Sequence, residues 1–213
     1  SGTVDTFVTS SAAATAQGAL DFIRVDDGSP AEMGLIRFEN LFGTGPGQIP
    51  PGSTINSASL SFFVTGTDSS DGVNLHVMNA AWDVSSTYDS LVNGVQTDGM
   101  EAAIAAVASI DAGIAGWVTF NNLGSVVQEW ADGGPNRGFA LISDSADGWR
   151  AHSSEQANST LRPFLSVDWT PPQPPVLTAS GGSVSYIENN APIAVDPGLT
   201  VTDADSSHLA GAM

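Results

Sequence analysis

The feature that most constrains this chain is a series of short runs in which apolar and polar residues alternate, with turn-forming residues between them. Alternation with a period of two is typical of β-strands that bury one face. Glycine, proline, aspartate and serine between such runs favour tight turns and antiparallel pairing. The sequence therefore predicts an all-β fold, an antiparallel β-sandwich or jelly roll. The predicted strands span residues 4–8, 20–25, 34–38, 58–64, 73–78, 117–120, 138–143, 149–153 and 163–169.

One short helix is predicted inside this strand pattern. Asn122 is the expected N-cap and Gly133 follows the expected last turn. Between them the apolar residues Val126, Val127 and Trp130 recur at helical spacing. A helix of about ten residues does not form a core by itself. We therefore expect it to pack on a sheet, or across a sheet edge, through Trp130.

Residues 79–116 interrupt the strand pattern and are predicted to be an insertion between two strands. Within it, residues 100–107 have the composition of a second short helix. Long insertions in sandwiches pack over one sheet face or line a binding loop. A lid and a space-filling role therefore both remain open for this segment.

The composition narrows the classes of partner. The chain has 23 acidic residues against five basic ones, all arginine, and a formal net charge of −18. Such a surface repels nucleic acid phosphates and anionic lipid, and no apolar run is long enough to insert in a membrane. An acidic surface suits high salt or divalent cations, and both interpretations remain open. The absence of cysteine excludes disulfides and cysteine-ligated zinc.

The sequence indicates a protein that is not an enzyme. It contains no nucleophile elbow, no zinc-protease motif, no phosphate loop and no dinucleotide fingerprint. Its three histidines, His76, His152 and His208, lie in separate segments. Two carboxylates that meet only in the folded chain would be the remaining route to hydrolase chemistry.

The sequence also predicts a division of the chain into domains. A β-sandwich domain is expected over 1–170 and a proline-rich linker over 171–176. Residues 177–213 carry two more strand-like stretches, fewer than a sandwich needs. We expect this tail to be the start of a further module that docks on the first domain or self-associates with a second copy.

Several segments of the first domain resemble one known family. They include residues 5–8, 34–38, 49–60, the run Val-Val-Gln-Glu-Trp-Ala-Asp-Gly at 126–133, and the run Ser-Ser-Glu followed by Arg-Pro-Phe-Leu-Ser-Val. In their order and spacing these segments resemble DNRLRE domains, which are secreted bacterial β-sandwich modules. Some members of that family are classed as carbohydrate-binding. In the tail, residues 184–192 and 199–205 resemble the first two strands of a cadherin-like repeat.

The resemblance implies an extracellular, non-catalytic module of a larger bacterial protein that binds polysaccharide. Some members of the family bind acidic algal polysaccharides such as alginate. With only five arginines, this sequence favours a neutral glycan unless calcium bridges the two polyanions. A structural or adhesive module, stiffened by calcium and without a glycan ligand, is the alternative.

Aromatic side chains are the expected sugar platforms, because the apolar faces of pyranose rings stack on them. Tryptophans in periodic positions, namely Trp117, Trp130 and Trp169, are predicted to be core. Aromatic residues in or beside irregular segments, with the polar neighbours of one of them, are predicted to bind carbohydrate. They are Trp82, Tyr88, Trp149, Arg150 and His152. Arg37 and Glu155 are expected to form a structural ion pair.

Calcium is the possible cofactor, because three turns place paired aspartates before a glycine. The simpler interpretation is that aspartate and glycine merely favour hairpin turns. The candidate ligands in these turns are Asp26, Asp27, Asp68, Asp71, Asp144 and Asp147. In the tail, the resemblance to cadherin-like repeats adds Glu188, Asp203 and Asp205.

Overall fold

The computed structural model describes residues 2–67, 72–110, 115–143, 145–146 and 148–205. The chain divides into two compact units, Ser1–Thr170 and Pro171–Met213. The first unit contains two antiparallel sheets that share one apolar core, so the predicted all-β sandwich is confirmed. No helix among the described residues is long and apolar enough to cross a membrane.

Ten strands are present in the described part of the first unit, and nine of them correspond to the predicted ones. They are β1 (Gly2–Thr9), β2 (Phe22–Val25), β3 (Glu32–Glu39), β4 (Thr54–Thr67), β5 (Val73–Val77), β6 (Ala108–Ile110), β7 (Gly116–Phe120), β8 (Phe139–Ser143), β9 (Trp149–His152) and β10 (Phe164–Thr170). The first sheet has the order β1-β3-β8-β5-β6. In the second sheet the order is β10-β4-β9-β2, and β7 also pairs with β4.

The core lies between the two sheets and follows the alternation of the strands. Along β4, Leu60, Phe62 and Val64 are fully buried, and Phe7 and Ile36 bury their side chains in the same cluster from the first sheet. Each such side chain stabilises the fold by about 1.5–3 kcal/mol relative to an exposed position. The long strand β4 is thus the central element of the second sheet.

The insertion packs on the outer face of the first sheet. Trp82, Leu91 and Val95 form a second apolar cluster there with Val8 and Leu35. The described part of the insertion therefore fills space on this face of the sheet, one of the two roles that the sequence left open.

The prediction of a short helix at residues 100–107 is wrong. Ala103 N donates to the Val77 carbonyl and Val107 N to the Leu75 carbonyl, each at 2.8 Å. These bonds tie the segment to β5, and the hydrogen bonds to β5 outweigh the local helical propensity.

The other predicted helix is present as α1 (Gly124–Ala131), with Val126, Val127 and Trp130 buried. Asn122 is not its N-cap, because Leu123 occupies that position and makes no side-chain cap. The predicted end is confirmed at Gly133, whose N–H bonds the Trp130 carbonyl at 3.2 Å and whose φ is +96°. This left-handed glycine ends the helix in a Schellman motif.

The second unit contains two short strands that pair antiparallel, β11 (Val176–Thr178) and β12 (Thr200–Thr202). The strand β12 lies within the predicted stretch 199–205. The predicted strand in 184–192 does not form, since β12 pairs instead with the residues that follow the prolines.

Candidate functional site

The outer face of the second sheet carries a group of aromatic side chains. Phe63 on β4, Trp117 on β7, His152 at the end of β9 and Phe164 at the start of β10 all occupy positions that alternate with core residues. We call these four residues the aromatic face. Trp117 is 45% exposed and Phe164 is 48% exposed, whereas the next residue along each strand turns inward: Val118 is buried and Leu165 is partly buried against the core.

The rings of the aromatic face contact one another in a continuous row. The Trp117 ring centroid lies 5.2 Å from that of Phe164 and 5.5 Å from that of Phe63. The His152 ring is stacked on Phe63 at 5.6 Å with an interplanar angle of 20°. The tryptophan meets its two phenylalanine neighbours at steep angles of 64° and 87°. The surface is therefore ridged, with ring faces and ring edges both presented to solvent.

The strand register explains why these rings meet. Trp117 is opposite Phe63 in the pairing of β7 with β4, and Phe164 is opposite Ser61 in the pairing of β10 with β4. Ser61 is small and buried, and its hydroxyl lies 2.9 Å from that of Thr119. The small residue at this position leaves room for the Trp117 and Phe164 rings to come together above the sheet.

Two of the five arginines lie on the same outer face. Arg24 on β2 is directly opposite Arg150 on β9, and we call them the arginine pair. Their Cζ atoms lie 5.6 Å and 4.0 Å from the ring centroid of Phe22. Arg24 is 3.6 Å from Glu32, whereas Arg150 forms no ion pair with the described part of the chain. Like charges opposite each other destabilise a sheet, so an anionic ligand here would offset an existing repulsion.

The arginine pair borders the aromatic face directly. Phe22 is opposite His152 in the same strand pairing that sets Arg24 against Arg150. Along the outer face of the second sheet, the cationic arginine pair is therefore followed by the aromatic face. This combination lies on a protein whose net charge is −18.

The structure divides the five residues predicted to bind carbohydrate. Arg150 and His152 lie on the outer face, as their alternation with Trp149 and Ala151 predicts. Trp149 itself is 3% exposed and packs edge-on against Phe62 in the core. The prediction that Trp149 is a sugar platform is corrected on this ground, since its ring has no open face.

The same correction applies to the two candidates in the insertion. Trp82 is 6% exposed, and its indole N–H donates to the Arg137 carbonyl at 2.7 Å. Tyr88 is half-buried and packs in the same apolar cluster. A cleft of about 400 Å³ does open beside Trp82, lined by residues that include Asp83 and Ser86. The Trp82 ring packs the insertion onto the first sheet, so it is not available to stack on a sugar.

The sequence prediction was also wrong for Trp117, in the opposite direction. It was expected in the core, yet Val118 and Phe120 occupy the inward positions of β7. The sequence does contain a signal for the outward position of Trp117, namely which residues of the strand alternate on the buried face. Because Val118 and Phe120 are both apolar and two apart, their neighbour Trp117 must face outward.

The predicted ion pair between Arg37 and Glu155 does not form either. Arg37 pairs with Glu39 at 2.7 Å and donates to the Trp82 carbonyl at 3.0 Å. Its Cζ also lies 5.2 Å from the centroid of the Trp82 ring. The strand-borne arginine has the acid partner that it was expected to need, but that partner is two residues away on the same strand.

Glu155 lies instead beside another acid, Asp5 of β1, which is 1% exposed. Ser154 bridges the two carboxyl groups, because its N–H donates to Asp5 Oδ2 at 2.8 Å and its hydroxyl donates to Glu155 Oε1 at 3.0 Å. Burial raises the pKa of Asp5 to about 7, and the Glu155 charge acts in the same direction, whereas the Ser154 N–H opposes it. Since Asp5 is enclosed, this pair does not present a catalytic acid to a substrate.

Among the predicted calcium ligands, Asp26 and Asp27 lie in a turn that contacts a second predicted turn. Asp27 N donates to the Ser145 carbonyl at 3.0 Å. A Cβ added at Gly148 would lie 2.8 Å from Asp26 Oδ2, so the Asp26 carboxylate is adjacent to that glycine. The remaining turn candidates, Asp68, Asp71, Asp144 and Asp147, lie outside the described residues.

In the second unit, Asp205 N donates to Asp203 Oδ1 at 3.2 Å, and Asp205 Oδ2 accepts from Gln173 N. Glu188 is exposed in a separate turn. Across the described part of the chain, no group of three or more histidine and acidic side chains lies close enough together to hold a metal ion.

Over the described residues the chain is an all-β protein, and its first unit combines two antiparallel sheets with an exposed aromatic sheet face. No family model matches the chain. No curated protein matches it either.

Proposed function

We propose that this chain is a non-catalytic carbohydrate-binding module of a larger extracellular protein, and that it binds polysaccharide through the aromatic face. The observation that carries the proposal is the exposure of Trp117 and Phe164 in direct contact on a sheet face. Exposed apolar rings cost solvation free energy, and contiguous exposed apolar patches mark binding surfaces. The apolar face of a pyranose ring is a fitting partner for such rings.

The asymmetry of the sandwich supports the choice of this face. The insertion buries apolar side chains of the first sheet, such as Val8 and Leu35, on its outer side. The corresponding side of the second sheet keeps Trp117 and Phe164 open. The outer face of the first sheet is covered by the insertion, whereas the aromatic residues on the outer face of the second sheet are exposed to solvent. The second sheet therefore offers the better surface for a ligand.

The arginine pair points to the class of glycan. Arg150 has an exposed guanidinium without an acid partner among the described residues, next to the aromatic face. Guanidinium groups bind carboxylates and sulfates with charge-assisted hydrogen bonds. An acidic polysaccharide thus fits this surface better than the neutral glycan expected from the arginine count alone.

The test is a binding panel of immobilised polysaccharides, neutral glucans, galactans and xylans beside uronic-acid and sulfated polymers. The wild-type protein is expected to bind an acidic member, and Trp117→Ala is expected to abolish that binding. Tyr186→Ala is the matched control, because Tyr186 is an exposed aromatic residue of the other unit. Retained binding in Trp117→Ala, or equal loss in Tyr186→Ala, would contradict the proposal.

A second candidate function is a structural module of a surface protein that calcium stiffens. The observation that favours it is the contact between the turn of Asp26 and Asp27 and the turn that ends in Gly148. Calcium takes six to eight oxygen ligands, and the Asp26 carboxylate beside Gly148 and the Ser145 carbonyl would offer a share of them. If this function is correct, calcium raises the melting temperature of the wild-type protein but not of Asp26→Asn, and no polysaccharide binds.

A further inference from the structure

The buried acid Asp5 has an unusual environment that the proposed glycan site does not use. Its side chain faces the space between the sheets, on the same side of β1 as the core residue Phe7. One carboxyl oxygen accepts from Ser154 N, and the other, Oδ1, is buried with no hydrogen-bond partner in the described part of the chain. A buried polar atom without a partner destabilises the folded state, so Oδ1 requires a donor.

The charged groups on the strands next to β1 do not supply that partner. On β3, Arg37 and Glu39 bind each other, and Glu32 lies 3.6 Å from Arg24 of β2. His152 of β9 faces outward, where its ring stacks on Phe63. The charged side chain that acts on Asp5 is Glu155, an acid like itself.

Ser154 holds these two acids together. Its N–H and its hydroxyl donate to Asp5 and Glu155 respectively, so the carboxyl groups are fixed on the two sides of one residue. Two carboxylates held this close repel each other when both are ionised. When one is protonated it becomes a donor, and its O–H satisfies an oxygen of the other.

We propose that Asp5 and Glu155 share one proton, and that this shared proton holds segment 153–163 against strand β1. The burial of Asp5 and its unpartnered Oδ1 support a proton in preference to a hydrated cation, because the enclosed oxygen leaves little space for water ligands. The raised pKa of Asp5 agrees with this arrangement. Loss of the proton in mildly alkaline solution then loosens the segment.

The place of the segment gives the shared proton a wider effect. Segment 153–163 connects β9 to β10, and both strands pair with β4. Its ends adjoin His152 and Phe164, two members of the aromatic face. We call this attachment of segment 153–163 to β1 through the shared proton the proton lock. It is a property of the folded chain and does not depend on whether a glycan binds to the aromatic face.

Carbon-13 NMR of the side-chain carboxyl groups tests this proposal. In the wild-type protein the Asp5 carboxyl is expected to titrate near pH 7 and not near its ordinary value of 3.8. In Glu155→Gln the Asp5 midpoint is expected to move to lower pH, because the like charge is gone and the amide donates without a proton. An Asp5 midpoint near 4, or one that Glu155→Gln leaves unchanged, would overturn the shared proton.

Hydrogen exchange of the Ser154 amide tests the proton lock itself. At each pH, the protection of the Ser154 amide is compared between the wild-type protein and Asp5→Asn. The amide of Asn at position 5 donates to Glu155 at every pH. Protection is expected to match at pH 5 and to be lower in the wild-type protein at pH 8. Equal protection at pH 8 contradicts the proton lock. A calcium-dependent, saturable gain of protection in the wild-type protein alone would show a cation between the carboxyl groups and would also overturn the proposal.

Discussion

The Trp117 indole and the Phe164 ring meet at a centroid distance of 5.2 Å above the buried Ser61, although they belong to strands on opposite sides of β4. Neither ring contributes to the core between the sheets. Each is held in place by strand register and by its aromatic neighbour. Positions of this kind should tolerate truncation without unfolding the protein.

The first prediction contrasts two tryptophans. Trp149→Ala is expected to lower the free energy of unfolding by about 3–5 kcal/mol, because it leaves a cavity in the core. Trp117→Ala is expected to lower it by less than about 1 kcal/mol, because the ring is half exposed. Urea unfolding followed by circular dichroism measures both. Similar losses in the two variants would show that the aromatic face is part of the core.

The second prediction concerns the arginine pair. Arg150→Gln is expected to weaken binding of an acidic polysaccharide about twofold to fivefold, since an exposed charge contributes up to about 1 kcal/mol. Binding of the wild-type protein should also weaken as sodium chloride rises from about 0.05 M to about 0.5 M, because salt screens exposed charges. Isothermal titration calorimetry measures both effects.

Arg162→Gln is the matched control for Arg150. Arg24 and Arg150 lie over the Phe22 ring, whereas the Nε of Arg162 donates to the Gln156 carbonyl at 2.6 Å. The same affinity loss in both variants would indicate that net charge, and not the position of Arg150, governs binding.

The third prediction follows from the raised pKa of Asp5. The carboxyl has its ordinary pKa of 3.8 when unfolded and a pKa of about 7 when folded. Between these values the folded state holds a proton that the unfolded state has released, so the free energy of unfolding falls as pH rises from about 4 to about 7. The total loss is at most about 4 kcal/mol.

Urea unfolding at a series of pH values measures this loss. Asp5→Asn cannot ionise at this position, so its stability should change less over the same pH range. At pH 8 the variant should equal or exceed the wild-type protein. A wild-type profile that rises with pH while the variant stays flat would contradict the sign of the effect.

The fourth prediction concerns Gly138, which precedes β8. Its φ is +72°, and an added Cβ would overlap the carbonyl oxygen of Ile36. Gly138→Ala is therefore expected to destabilise the protein by more than about 2 kcal/mol. Gly47 has a similar φ of +77° but open space where its Cβ would be. Gly47→Ala should cost only about 1 kcal/mol, and equal costs would show that crowding at Gly138 is relieved.

The sequence predicted the strands well because each carries its own local signal. Period-two alternation in stretches such as 58–64 and 163–169 directly reports which face is buried. The end of α1 was equally local, since Gly133 occupies a left-handed position that glycine favours. Asn122 failed as a cap because the chain enters the helix through Leu123, whose side chain is buried.

The candidate site was harder to predict because it depends on pairing between distant strands. Trp149 and Trp117 look alike in sequence, and only the phase of their strands separates a core ring from an exposed one. The arginine pair arises from the register of β2 with β9, which the sequence does not specify. The pairing of Asp5 with Glu155 likewise depends on where segment 153–163 folds back.

The alternation along β4 has an evolutionary consequence. Leu60, Phe62 and Val64 determine whether the chain folds, while Ser61 and Phe63, interleaved with them, help to shape the outer surface. Between residues 60 and 64, the side chains that build the core thus alternate with the side chains that shape the outer surface. Descendants of this protein can change what they recognise by exchanging residues 61 and 63, while residues 60, 62 and 64 keep the architecture constant.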